Sequence, residues 1–320
     1  MALRMALLSA ALLASASVAL AQTTGPGFTA AQPAGAATGW TKFTEPSEGA
    51  YTVEVPQGWQ AAGGVRRYAA SEAPVWLTVE SPDHSTELFL GDPSLAPFFL
   101  PGQYSPEGSQ MPGVHGRAAT VMRYRPGAEY ASLYGTRSLA SVCSNVQPQG
   151  TQPVPALESE MRQHVQSATR LDAGEARFSC ERNGQRLDAA VQAGTALQMF
   201  PGGNGAGFWA VLAIRGYLAP AGQGAQAAQL LDHITASFTP APQFLAGLQQ
   251  ANAAEEEIAR RQAQQPPPAP SPLPTPIPAP VPRPSPQASA CPGDLQQQRI
   301  CNINDGHLVV SGGCLRCISP

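Results

Sequence analysis

The sequence predicts an α+β fold: an antiparallel β-sheet packed with helices, followed by a proline-rich linker and a small cysteine-rich C-terminal module. Three observations predict it. Short alternating strands, broken by glycine, proline, asparagine and aspartate, run from Trp40 to Leu218. Apolar residues then recur at helical spacing. Beyond them, twelve prolines crowd into the twenty-one residues from Pro266 to Pro286, and four of the six cysteines follow. Period-two and period-3.6 patterns bury one face of a strand or helix, whereas a proline run has no face to bury.

Taken in order, Met1–Ala21 places Arg4 before an apolar stretch and ends Ala19-Leu20-Ala21. This is the layout of a secretory signal peptide cleaved after Ala21. Residues 22–39 carry no charge and read as a flexible leader. Tyr51–Pro56 alternates like a half-buried strand and stops at proline, with Gly58 and Trp59 in the turn. Val65–Ala69, Val75–Glu80, Thr86–Leu90 and Ala119–Tyr124 read as further strands, and 93–116 as a long Pro/Gly-rich loop. Gly127–Cys143 and Ala156–Ala168 read as helices. Ala176–Arg182 and Gln185–Ala193 flank Asn183-Gly184, the pair that favours a type I′ hairpin turn. Phe208–Leu218 is a strongly apolar central strand. Ala227, Leu230, Leu231, Ile234 and Phe238 mark a helix buried on one face, and Phe244–Gln265 a second one.

The expected organisation is therefore a signal peptide (1–21), a leader (22–39), a globular domain (40–243), a helix (244–265), a proline-rich linker (266–290) and a stapled module (291–320). Polyproline II rises about 3.1 Å per residue, so the proline run would hold its ends roughly 60–65 Å apart. In an exported chain the six cysteines (Cys143, Cys180, Cys291, Cys301, Cys314 and Cys317) read first as disulfides. Cys143 and Cys180 are expected to pair within the globular domain. The other four would staple a tail too short to fold by burial alone. Zinc ligation by Cys291-x9-Cys301-x12-Cys314-x2-Cys317, with His307 between, is the alternative. Asn304-Asp-Gly306 fits a hairpin turn between Ile300–Ile303 and His307–Val310.

The 320 residues are 43% hydrophobic but only 13% charged, and the net charge is −3. That balance leaves no electrostatic footprint for nucleic acid. No apolar run reaches the roughly 18 residues that span a bilayer, so no transmembrane span is expected. The expected location is periplasmic or secreted.

No catalytic, cofactor or metal residues emerge, and no cofactor is expected. Asp83-His84-Ser85 sets acid, imidazole and hydroxyl side by side, but catalytic triads assemble in space and a turn explains the same residues. The five histidines form no spaced ligand set. Gly202–Gly207 lacks the Lys-Ser/Thr of a phosphate loop and leads into a strand, so it reads as a hairpin loop. Trp40, Trp59, Trp76 and Trp209 with Arg123-Tyr124-Arg125 could line a glycan-binding face; core tryptophans and solvated arginines are the preferred reading.

The stretch Glu48-Gly-Ala-Tyr-Thr-Val-Glu-Val-Pro-Gln-Gly-Trp59 and the ending Thr235-Ala-Ser-Phe238 resemble the opening hairpin and closing helix of Mog1/PsbP-like domains. The resemblance covers about Trp40 to Thr239. It implies an antiparallel sheet with helices on its faces, in a fold used for binding and assembly, and it carries over no site residue. The expected function is that of a non-enzymatic exported protein presenting a small module on a spacer to an envelope protein or cell-wall component. A periplasmic hydrolase whose site converges only in the fold, and a zinc-binding tail, are the alternatives.

Overall fold

The computed structural model describes residues 39–165, 167–202, 205–264, 307–311 and 314–318. The expected signal peptide, most of the leader, the proline-rich run, Cys291 and Cys301 lie outside them. The chain divides into two units, 1–265 and 266–320.

In chain order the first unit contains β1 (Trp40–Thr44), β2 (Tyr51–Pro56), β3 (Gln60–Val65), β4 (Val75–Glu80), β5 (Glu87–Leu90), β6 (Phe98–Phe99), β7 (Gln110–Pro112) and β8 (Ala118–Val121). Then follow α1 (Gly127–Leu139), β9 (Ser144–Pro153), α2 (Pro155–His164), β10 (Arg170–Arg182), β11 (Gln185–Met199), β12 (Gly207–Pro220), α3 (Gly224–Ser237), β13 (Thr239–Pro240) and α4 (Pro242–Gln264). Strands β1, β2 and β13 make a small sheet in the order β1-β2-β13. The large sheet runs β3-β4-β5-β12-β11-β10-β9, with β6, β7 and β8 attached through β6 to β12. Every pairing is antiparallel except β6 with β8. This is the α+β architecture that the alternating strands predict.

The expected hairpin is β10–β11. Asn183 and Gly184 both take positive φ (54° and 78°), the geometry a type I′ turn requires. The expected central strand is β12, flanked by β11 on one side and by β5 and β6 on the other. The strand expected to reach Tyr124 stops at Val121. Met122 instead bonds Phe99 through its N–H, and its carbonyl accepts the Trp209 indole at 2.9 Å. The polar, proline-bearing β9 has no apolar alternation to mark it. Its backbone pairs with β10 all the same, with register shifts that blunt an open sheet edge.

Residues paired across strands share a face of the sheet. Ile214 and Ala193 point to the face where α1 packs, joining Phe178, Val191 and Trp209 in one core. Gly135 of α1 sits so close to this sheet that an added Cβ would lie 2.4 Å from the Phe178 ring. On the opposite face, α2 buries Leu157 and Met161 over Leu171, Ala173 and Ala196. On that face too, α3 buries Leu231 and Ile234 over Leu77, Val79, Leu88 and Ala219, a core shared with Tyr51 and Val53 of the small sheet. The sheet surface between α2 and α3 is left for other side chains.

In the second unit, β14 (His307–Ser311) pairs antiparallel with β15 (Cys314–Ile318). The strand expected from His307 to Val310 is present, and it pairs with β15. The expected partner at Ile300–Ile303 lies outside the described residues.

Candidate functional site

The gap between α2 and α3 is floored by a polar row that crosses four strands in register. Gln152, Glu175, Gln192 and Arg215 are successive cross-strand partners on β9, β10, β11 and β12. Buried polar groups are costly unless hydrogen-bonded, and these are joined side to side. Glu175, only 7% exposed, accepts from Gln152 Nε2 at 3.1 Å, Gln192 Nε2 at 2.9 Å and Arg177 Nε at 2.6 Å. Gln192 Oε1 in turn accepts from Arg215 Nε at 2.8 Å.

That bond uses one of the five N–H donors of Arg215. Among the described residues its two terminal nitrogens have no hydrogen-bond partner, and no carboxylate approaches within 4.0 Å. Neither nitrogen is sealed from solvent. Burial lowers the guanidinium's pKa, while the charges of Glu160 on α2, Asp232 on α3 and Glu175 pull it back up. Burial likewise raises the Glu160 carboxyl, with Arg215 opposing.

Arg215 also lines a cleft of about 110 Å³. The cleft lies at a gap in the sheet. β12 pairs with β5 over Arg215–Leu218 and with β6 over Phe208–Trp209, so the stretch between has no strand on that side. Its remaining walls are mostly apolar and include Trp76, Leu90, Leu95, Leu157 and Leu212. Asp92 is the one acidic residue among them. Its carboxylate is already committed, to Ser94 through Oδ1 and to the Tyr134 hydroxyl through Oδ2 at 3.0 Å. The cleft thus offers an apolar body site with one cation whose terminal nitrogens have no protein partner among the described residues, the arrangement of a pocket that orients a ligand by its polar head.

Cys143 and Cys180, distant in sequence, are joined by a disulfide with Cα atoms 5.8 Å apart, tying the connection between α1 and β9 to β10. Cys314 and Cys317 both lie in β15, at positions registered with Ser311 and Leu308. Among the described residues, no three His, Cys, Asp or Glu side chains are grouped to hold a metal, and no helix is long and apolar enough to cross a membrane.

Asp83-His84-Ser85 forms a turn. Asp83 Oδ1 accepts from Ser81 Oγ and from the Ser85 hydroxyl, while His84 pairs with Glu80 at 2.9 Å, so the imidazole is not joined to the hydroxyl. His115 lies between Glu72 (2.7 Å) and Glu255 (3.4 Å), but the neighbouring buried Ser71 hydroxyl donates to Glu255 and not to the ring. Gly202–Gly207 joins β11 to β12, at no helix N-terminus. The tryptophans and arginines do not gather into one face: Trp40 stacks on His233, Trp209 is fully buried, and Arg123 and Arg125 both bind Glu129. Trp76 alone of the four lines the cleft.

The polar row and the cleft were not anticipated from sequence. The signal was present in Leu-Asp-Ala-Gly-Glu175-Ala-Arg-Phe, Ala-Val-Gln192-Ala-Gly and Leu-Ala-Ile-Arg215-Gly-Tyr-Leu. Each places a long polar side chain in a strand of mostly small or apolar residues.

No protein-family model matches the chain, and no curated protein matches it. Among solved structures, the chain is similar to LpqN of Mycobacterium tuberculosis, described as involved in cell envelope biogenesis. The identity is 11%, over 64% of this chain and 91% of that one, with a TM-score of 0.28. A likeness that loose carries no argument about function.

Proposed function

We propose that the chain is an exported, non-enzymatic binding protein whose first unit takes a small, largely apolar ligand in the Arg215 cleft. The observation that carries this reading is an apolar cleft lined by Arg215, whose terminal nitrogens have no protein partner among the described residues. Export is supported by the signal-peptide layout of Met1–Ala21 and by the Cys143–Cys180 disulfide, a bond that persists in oxidising compartments.

The division at 1–21, 22–39, 40–243, 244–265, 266–290 and 291–320 belongs to the same proposal. So does a tail stapled by disulfides among Cys291, Cys301, Cys314 and Cys317, which the linker presents to an envelope protein or cell-wall component. The Mog1/PsbP-like reading agrees with the antiparallel sheet and its flanking helices, and with a binding role.

The test is thermal unfolding of the full mature chain with small apolar carboxylates, beside a variant whose cleft is filled by Ala213→Trp. A ligand at about 100 times its Kd should add about 2.7 kcal/mol to the wild type and nothing to the variant. Equal shifts in both, or none in either, would remove the cleft from the account.

A further inference from the structure

Resting on the reading of the cleft as a binding site, we propose that its ligand is a short apolar peptide with a free C-terminal carboxylate, extended along β12. The argument concerns the backbone of β12 where it floors the cleft. Leu100 donates its N–H to the Gly207 carbonyl at 3.0 Å, so Gly207 directs its backbone groups to the β6 side. Alternate residues of an antiparallel strand do the same, which carries that direction through Trp209 to Val211. At the other end of the gap Gly91 donates to the Ile214 carbonyl at 2.7 Å. A bulge reconciles the two ends: the β11–β12 register steps from Val211 to Ala213 and leaves Leu212 extra. Among the described residues, no strand pairs with 210–213 on this side, and no loop residue bonds the Val211 backbone.

Val211, Leu212, Ala213, Ile214 and Arg215 all line the cleft. It therefore meets a backbone donor and acceptor at Val211 as well as the guanidinium of Arg215. Unpaired backbone groups need a partner, and a fatty carboxylate would answer Arg215 alone. An extended peptide answers both, as in recognition by strand addition: its peptide groups meet Val211 and its carboxylate meets the guanidinium fork. Because Val211 precedes Arg215, such a peptide runs parallel to β12. Its length is limited. Strands β6 and β5 occupy the two ends of the lane, and the four residues between, 210–213, span roughly 13 Å. That admits a peptide of about three residues and no longer strand. The apolar walls, Trp76, Leu95 and Leu157, suit uncharged side chains.

The experiment follows backbone amide signals and hydrogen exchange of the full mature chain during titration. The probes are L-leucyl-L-alanyl-L-leucine, its C-terminal amide, its form methylated on both peptide nitrogens, and octanoate. The free tripeptide should shift the Val211 amide and slow its exchange. The other three should bind at least about tenfold more weakly, and octanoate should leave the Val211 exchange rate unchanged. Octanoate or the methylated peptide binding as tightly as the free tripeptide would overturn the peptide assignment and leave the cleft as a binding site. The C-terminal amide binding as tightly would overturn the carboxylate end. No shift with any of the four would remove both the assignment and the cleft.

Discussion

Arg215 donates through Nε to Gln192 Oε1 at 2.8 Å, and this bond fixes what the rest of each side chain does. With its oxygen turned to Arg215, the Gln192 amide nitrogen faces Glu175 and donates to it at 2.9 Å. The guanidinium is held at Nε, and its terminal nitrogens have no protein partner among the described residues. Gln192→Leu would strip one acceptor from Arg215 and one donor from Glu175 inside a desolvated row. The expected cost is about 1–3 kcal/mol, because a buried group left unpaired loses its desolvation energy without return. Urea unfolding of the variant measures it.

Glu45 gives a pH-dependent counterpart. It is only 1% exposed, and burial pushes its carboxyl upward. Hydrogen bonds from the Ser47 hydroxyl and from the backbone N–H groups of Glu48, Ser47 and Ala50 outweigh that and hold the pKa below the ordinary 4.5. A depressed folded-state pKa contributes stability that is present above the unfolded value and lost as pH falls through the folded one. Wild-type stability should therefore fall as the pH drops below 4.5. Glu45→Gln should be less stable than wild type near neutrality and lose that difference in acid. Unfolding midpoints measured across this range test the convergence.

The Cys143–Cys180 bond closes a sequence separation of 37 residues that includes β9 and α2. In the chain-entropy picture a loop of this size stabilises by roughly 3–4 kcal/mol, and engineered cases often give less. Cys143→Ser with Cys180→Ser should lower the melting temperature without changing the fold. Differential scanning calorimetry of the full chain reads this directly, and non-reducing peptide mapping should recover the linked pair.

Gly135 tests the α1–sheet packing. Phe178 is only 2% exposed, so its ring has little room to yield to a new methyl 2.4 Å away. Alanine normally favours a helix, yet Gly135→Ala should destabilise by about 1–3 kcal/mol through overpacking. A stabilised variant in chemical unfolding would contradict this packing.

The fold was legible where apolar periodicity or turn chemistry is strong. Asn183-Gly184 marked the hairpin, the apolar run around Ile214 marked the central strand, and Leu230, Leu231 and Ile234 marked the buried face of α3. Strand β9 was not legible, because its Gln, Thr and Pro residues sit at an exposed edge where backbone pairing, not burial, makes the strand. The site was hidden for a different reason. Gln152, Glu175, Gln192 and Arg215 lie on four separate strands, and only the register of β9, β10, β11 and β12 brings them together. A lone polar residue in a buried strand says that a partner exists; it does not say where.

The most direct test of the central claim is isothermal titration calorimetry of the full mature chain with octanoate, comparing wild type with Arg215→Met. Loss of the charged anchor should weaken the bound ligand at least about tenfold while the far-ultraviolet circular dichroism is unchanged. The wild-type association should show the negative heat-capacity change of apolar burial. Equal affinity in both proteins, or no heat with octanoate, would contradict a binding site built on Arg215.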